Sequence, residues 1–176
     1  ESPAADSTSM IHPNNVATTC GQCHHGIEEE FRESIHYPEN GDYSAEGEHQ
    51  YQTCEDCHTS HTISRTDRDD FRMLMMSQCG RCHEDESETF FETYHGKVSR
   101  LGSAGAAKCY DCHGTHNILP ADNPDSTLSQ RHVVDTCGQC HPRAHLQFAG
   151  YLSHATHHDP DKYPILYYVF MGMTAL

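Results

Sequence analysis

Apolar positions along the chain recur at helical spacing in short stretches and nowhere alternate over the length of a strand. Ile27, Phe31 and Ile35 follow one another at intervals of four residues, which places them on one face of a helix. Short helices are predicted for three stretches: 26–36, 84–95 and 142–154. Gly and Pro interrupt the chain between them. The pattern therefore predicts mostly coil with short α-helices and little or no β-sheet.

The chain is too polar for a conventional hydrophobic core. Hydrophobic residues make up 35% of its 176 residues, whereas an ordinary domain is about 45–50% apolar. A chain of this length ordinarily buries roughly 70% of its unfolded surface, so we expect a group other than side chains to fill the interior. The net charge of −15 would repel phosphate backbones and excludes nucleic-acid binding.

The ten cysteines and 17 histidines indicate what that group is. All ten cysteines fall into five Cys-x-x-Cys pairs, and a histidine follows each pair directly. C-x-x-C-H is the attachment signature of c-type haem, in which two thiols bond the porphyrin and the adjacent imidazole is the proximal iron ligand. The motifs, numbered as sites 1 to 5, are Cys20, Cys23 and His24; Cys54, Cys57 and His58; Cys79, Cys82 and His83; Cys109, Cys112 and His113; and Cys137, Cys140 and His141. Structural zinc, disulfides within the pairs and thioredoxin-like chemistry are the alternatives, but none of them requires a histidine after every pair.

Two kinds of motif alternate along the chain. Sites 1, 3 and 5 are followed after 12, 12 and 13 residues by a further histidine: His36, His95 and His154. Sites 2 and 4 have an acidic residue before the second cysteine and a histidine three residues after the proximal one: His61 and His116. Cys20 and Cys79 are 59 residues apart, and Cys79 and Cys137 are 58 apart. The sequence therefore predicts a two-haem unit that occurs twice, with a fifth haem appended.

These five further histidines are predicted to be the distal iron ligands. A helix of twelve residues is roughly 18 Å long, so His36 cannot easily fold back onto its own haem, and His61 lies on the near side of its own. Each is therefore expected to bind the iron of a different haem, which would cross-link the chain. The distal set is His36, His61, His95, His116 and His154. The reserves are His12 and His25 for the first haem and His157 and His158 for the last, with His49, His132 and His145 as weaker candidates.

Five haems in so short a chain would pack almost edge to edge. Iron with two histidine ligands has no open position, so the expected function is electron transfer and not the conversion of a substrate. An enzyme that reduces or oxidises a small nitrogen or sulfur compound would need one open haem. The Cys-x-x-Cys-Lys motif typical of multihaem nitrite reductases does not occur here. A haem-based gas sensor or carrier would not need five haems.

Several strings carry a family resemblance: 94–97 (YHGK), 113–120 (HGTHNILP), 123–127 (NPDST) and 136–141 (TCGQCH). They resemble multihaem c-type cytochromes and, more narrowly, periplasmic haem-c domains fused to or partnered with a membrane b-type cytochrome. The resemblance covers about residues 12–170. It implies five covalent haem c groups and electron transfer between a quinone-linked membrane b-type cytochrome and periplasmic partners in anaerobic respiration.

Charge and chain ends extend this expectation. Covalent haem attachment takes place outside the cytoplasmic membrane, so a periplasmic or extracellular location is expected, and the acidic surface suits a basic soluble cytochrome as partner. Residues 1–11 are predicted to be a flexible tether and 12–162 a single pentahaem domain. Residues 163–176 carry no charge and are interpreted as the start of a membrane helix, although 14 residues are fewer than the about 20 that a span needs. Packing on a haem, or on a neighbouring copy in a conducting haem filament, is the alternative.

Overall fold

The computed structural model describes residues 5–40, 52–150 and 154–176. About half of these residues are helical, no strand occurs among them, and the rest is coil, which confirms the predicted secondary structure. The helices are α1 (Pro13–Gly21), α2 (His25–Arg32), α3 (Cys54–His58), α4 (Asp69–Gly80), α5 (Glu84–Glu92), α6 (Tyr94–Arg100), α7 (Cys109–His113), α8 (Val133–Gly138), α9 (Leu146–Ala149) and α10 (Pro164–Thr174). His49 and Ser153 lie outside the described residues.

The odd-numbered sites join two helices. At sites 1 and 3 the first cysteine lies at the end of one helix, and the proximal histidine precedes the next, so that α1 packs on α2 and α4 on α5. The glycine after the first cysteine allows this packing. A Cβ atom at Gly21 would collide with the Glu28 side chain, and one at Gly80 would lie 2.8 Å from Ser87 Oγ. The Cys-Gly-x-Cys-His form of these motifs thus has a steric reason at sites 1 and 3.

The even-numbered sites are single helical turns. The aspartate before the second cysteine caps the N-terminus of each turn from its third position. In α3 the Asp56 carboxylate accepts hydrogen bonds from Thr53 N at 2.7 Å and Thr53 Oγ1 at 2.9 Å. In α7 Asp111 accepts one from Lys108 N at 2.8 Å. These bonds close the N-terminal end of each turn, where backbone N–H groups would otherwise lack partners.

The helices after the odd-numbered sites are shorter than predicted. The predicted helix 26–36 ends at Arg32, and 84–95 is broken at Thr93 into α5 and α6. In the third stretch only Leu146–Ala149 is helical among the described residues. Local hydroxyl groups explain the first two breaks: Ser34 Oγ accepts from His36 N at 3.2 Å, and Thr93 Oγ1 accepts from Gly96 N at 3.2 Å. Side chains of this kind compete with helical hydrogen bonds.

The protein interior contains few apolar side chains. Within the described residues the buried apolar side chains are Val16, Ala17, Phe71, Met76, Phe90 and Ala106. Packing of apolar side chains is therefore sparse in the described part of the chain.

The C-terminal helix α10 lies apart from the other helices. Ile165 and Met173 are 78% and 73% exposed. Phe170 of this helix contacts two histidines of the preceding loop, with ring centres 3.9 Å from His157 and 6.4 Å from His158. No helix in the described part of the chain is long and apolar enough to cross a membrane.

Candidate cofactor sites

Four proximal histidines each face a predicted distal histidine from a different motif. The ring centres are 6.1 Å apart for His58 and His116 at site 2, and 6.0 Å for His83 and His36 at site 3. At sites 4 and 5 the pairs are His113 with His154 at 6.3 Å and His141 with His95 at 6.1 Å. In every pair the two residues are at least 41 positions apart in the sequence. The spacing is therefore set by tertiary structure.

These distances fit a metal ion held between two imidazoles. Metal–imidazole bonds of roughly 2 Å on each side place the two ring centres about 6 Å apart. The four pairs thus have room for one iron atom each, and the cysteine pair of the same motif supplies the two thiols that haem attachment needs.

The pair at site 2 is positioned by a contact between the two repeats. Ile35 N donates to Ile118 O at 2.8 Å, and Ser34 Oγ donates to the same oxygen at 3.2 Å. Ile118 N donates in turn to Ser34 Oγ at 3.3 Å, and the Ser34 side chain is fully buried. We call this contact the Ser34 junction. It positions His36 and His116 together, because His36 follows Ser34 by two residues and His116 precedes Ile118 by two.

A polar side chain lies beside the Nδ1 atom of two predicted distal histidines. His116 Nδ1 lies 3.8 Å from Glu30 Oε2, and His154 Nδ1 and Thr89 Oγ1 hydrogen-bond at 3.2 Å. Metal-binding histidines commonly engage one ring nitrogen in this way and ligate through the other. Nothing in the sequence pattern predicted Glu30 or Thr89 as a partner of a distal histidine. Ser34 and Thr93 each lie two residues before a predicted distal histidine, and this position was the only signal.

Aromatic side chains cover the proximal rings of two sites. Phe71 stacks on His58 with ring centres 5.6 Å apart, and Phe148 lies 4.9 Å from His141. Burial lowers the pKa of several histidines in the four pairs: His36, His58, His95, His113 and His116. A lowered pKa favours the neutral imidazole, which is the form that binds metal.

Site 1 and His61 differ from the four pairs. No second imidazole lies at ring-contact distance from His24 among the described residues. His61 is exposed, and its Nδ1 hydrogen-bonds Ser60 Oγ at 3.0 Å. The structure therefore does not bring His61 to any proximal histidine that it describes. His49 falls in the undescribed segment.

The reserve histidines have other local partners. His12 Nδ1 accepts from Asn14 N at the start of α1, and His145 Nδ1 accepts from Phe148 N at the start of α9. His25 Nε2 lies 3.3 Å from Glu29 Oε1 on the same helix. His157 and His158 stack on each other beside Glu92. None of these contacts places a reserve histidine opposite a proximal one.

The cysteines show which sites are neighbours. Cys20 of site 1 contributes to a raised pKa of Cys54 in site 2, and Cys109 of site 4 lowers the pKa of Cys79 in site 3, so the thiols of these sites lie close together. Burial raises the pKa of Cys57 to about 11, with a further increase from Cys79 of site 3. Burial likewise raises the pKa of Cys112, with Cys137 of site 5 adding to the shift. Consecutive sites are therefore adjacent in space, from 1 to 5.

Comparison with known proteins adds no identification. No family model matches the chain, and neither a curated protein nor a solved structure is similar to it.

Proposed function

We propose that the protein is a pentahaem c-type cytochrome that carries electrons along a row of five sites. The observation that carries the proposal is the set of four imidazole pairs, with ring centres 6.0–6.3 Å apart, each beside a Cys-x-x-Cys pair. Haem, when bound, supplies a one-electron iron couple whose potential depends on its axial ligands and burial. The proximal ligands are His24, His58, His83, His113 and His141, and the distal ligands proposed for sites 2 to 5 are His116, His36, His154 and His95.

Two properties of the polypeptide support electron transfer over substrate conversion. At sites 2 to 5 two histidines would bind each iron and would leave it no coordination position for a substrate. The thiols of consecutive sites lie close enough to shift one another's pKa from site 1 through site 5, so the cofactors would form one continuous row. The ten cysteines would attach each group covalently, and the histidine pairs, once bound to iron, would hold distant segments of the chain together.

The partners follow from the same proposal and from the family resemblance. Electrons would enter from a quinone-linked membrane b-type cytochrome and leave to a basic soluble cytochrome, which the net charge of −15 would attract. The compartment is periplasmic or extracellular, with segment 163–176 at the membrane. A direct check is the association rate with a basic cytochrome, which should fall steeply as salt increases.

A second function is favoured by site 1. His24 has no partner imidazole among the described residues, so its iron would be the one available to a small ligand. The protein would then be a reductase or oxidase of a small nitrogen or sulfur compound, with sites 2 to 5 as its electron supply.

The cofactor count is the experiment that tests the first proposal. The intact mass of the protein should equal the polypeptide plus five haems. Replacement of Cys109 and Cys112 by Ser should remove one haem, whereas Ser103→Ala should remove none. A mass with zinc or without any added group would overturn the proposal. Nitrite or hydroxylamine added to the oxidised protein then distinguishes the two functions, because only an open iron at site 1 changes its visible spectrum.

A further inference from the structure

A cluster of metal-binding side chains lies apart from the five sites. Glu92, at the end of α5, faces His157 and His158 from the loop that precedes α10, and their ligand atoms all lie within 4.8 Å of one another. Glu92 Oε1 is 3.5 Å from His158 Nε2. The two histidine rings lie on the same side of the chain, with centres 3.9 Å apart.

Thr156 holds this arrangement in place. Its Oγ1 donates to Glu92 Oε2 at 3.2 Å, which fixes the carboxylate. The same oxygen accepts from His158 N at 3.2 Å, which bends the chain so that adjacent histidines point the same way. One hydroxyl group therefore orients ligands from two segments. Hydrogen-bonded outer groups of this kind are typical of metal sites in proteins.

We propose that Glu92, His157 and His158 bind a divalent transition-metal ion, for which Zn²⁺ is the best fit. Two imidazoles and one carboxylate are a common ligand set for zinc, with water in the fourth position. The cluster offers a single carboxylate, whereas Ca²⁺ and Mg²⁺ require several oxygen ligands and are therefore disfavoured.

The bound ion would strengthen the contact between α5 and the loop before α10, which already includes the Thr89–His154 and Thr156–Glu92 hydrogen bonds. Glu92 precedes the Thr93–His95 turn, and His157 contacts Phe170 of α10. An ion at this point would fix the loop 154–163 against α5 and thereby hold the base of α10. The site is independent of the haem proposal, because none of its three residues faces a proximal histidine.

Zinc titration of the intact, haem-loaded protein by calorimetry tests the proposal. The unmodified protein should bind one ion that Glu92→Gln and His158→Asn no longer bind. Thr156→Val should weaken this binding by about 10- to 100-fold, as expected when an outer partner is lost, and Thr156→Ser should retain it. Glu88→Gln, on the exposed side of α5, and His132→Asn are matched controls that should leave it unchanged.

Two further readouts separate this role from others. Hydrogen exchange in 154–163 should slow when Zn²⁺ is added to the unmodified protein and should not change in Glu92→Gln. The haem spectra of His157→Asn and His158→Asn should equal that of the unmodified protein. Zinc binding that is equal in Glu92→Gln and the controls would overturn the proposal. A high-spin haem signal in either histidine variant would also overturn it, because that histidine would then be an iron ligand.

Discussion

His61 and His116 occupy the same position in the two repeats and have different surroundings. Each follows its proximal histidine by three residues in a motif with the same acidic residue. His116 lies 6.1 Å from His58 and beside the buried junction between Ser34 and Ile118. His61 is followed by residues that are all exposed up to 70. The motif alone therefore does not place its histidine opposite another imidazole. A segment of the other repeat must also pack against the residues that follow the histidine.

Three of the four pairs follow one register. His36 and His95 each face the odd-numbered site one unit later in the chain, and His116 faces the even-numbered site one unit earlier. His154 departs from the register, because it faces site 4 immediately before its own motif.

Removal of the two equivalent histidines should have unequal effects, and this is the largest difference that we expect. His116→Ala should convert one of the five irons from low-spin to high-spin, because His58 would lose its opposite imidazole. His61→Ala should leave the spectrum of the described sites 2 to 5 unchanged. Low-temperature EPR of the oxidised variants measures both. The comparison fails if His61→Ala opens site 2 and His116→Ala does not.

The Ser34 junction should couple two sites. Ser34→Ala removes a buried hydroxyl that bonds Ile118 and His36, so the free energy of unfolding should fall by about 1–3 kcal/mol. The EPR signals of sites 2 and 3 should shift together. Ser60→Ala, which removes the exposed partner of His61, should change stability by no more than about 0.5 kcal/mol. Guanidinium unfolding provides the stability values, and an equal loss in both variants would contradict the role of the junction.

Thr59 and Gly114 end equivalent helical turns with positive φ, and their substitutions should act in opposite directions. Their φ values are 61° and 85°, and the ψ values of 163° and 177° belong to a region occupied almost only by glycine. Thr59→Gly should stabilise the protein, and Gly114→Ala should destabilise it, each by about 1 kcal/mol or slightly more. Thermal unfolding of the two variants shows whether each substitution raises or lowers the stability of the protein. Two changes of the same sign would show that the turns are not equivalent.

Loss of the carboxylate that caps α3 or α7 should have the smallest effect on the free energy of unfolding. Asp56→Ala removes acceptors for Thr53 N and Thr53 Oγ1 and should lower the free energy of unfolding by about 1 kcal/mol. Asp111→Ala should cost somewhat more, because Asp111 also lies 3.3 Å from the Arg72 guanidinium. Glu55→Ala, one residue away and exposed, is the control in α3. Chemical unfolding of the three variants measures the loss of unfolding free energy in each, which should be largest for Asp111→Ala and smallest for Glu55→Ala.

Local sequence pattern predicted some of these features and not others. Spacing of apolar and turn residues was sufficient to predict short helices without strands. It was not sufficient to end the helices correctly, since the hydroxyl groups of Ser34 and Thr93 that break them carry no periodic signal. The motifs predicted that a distal histidine would serve another haem. Which site each one faces could not be predicted, because that depends on long-range contacts such as the one between Ser34 and Ile118.

The most direct test of the central claim is quantitative low-temperature EPR of the unmodified, fully oxidised protein with and without nitrite. The account predicts five haem irons, of which at least the four at sites 2 to 5 give low-spin signals that nitrite does not change. Two or more high-spin irons, or nitrite-sensitive signals at more than one site, would contradict the paired-histidine assignment and with it electron transfer as the primary function.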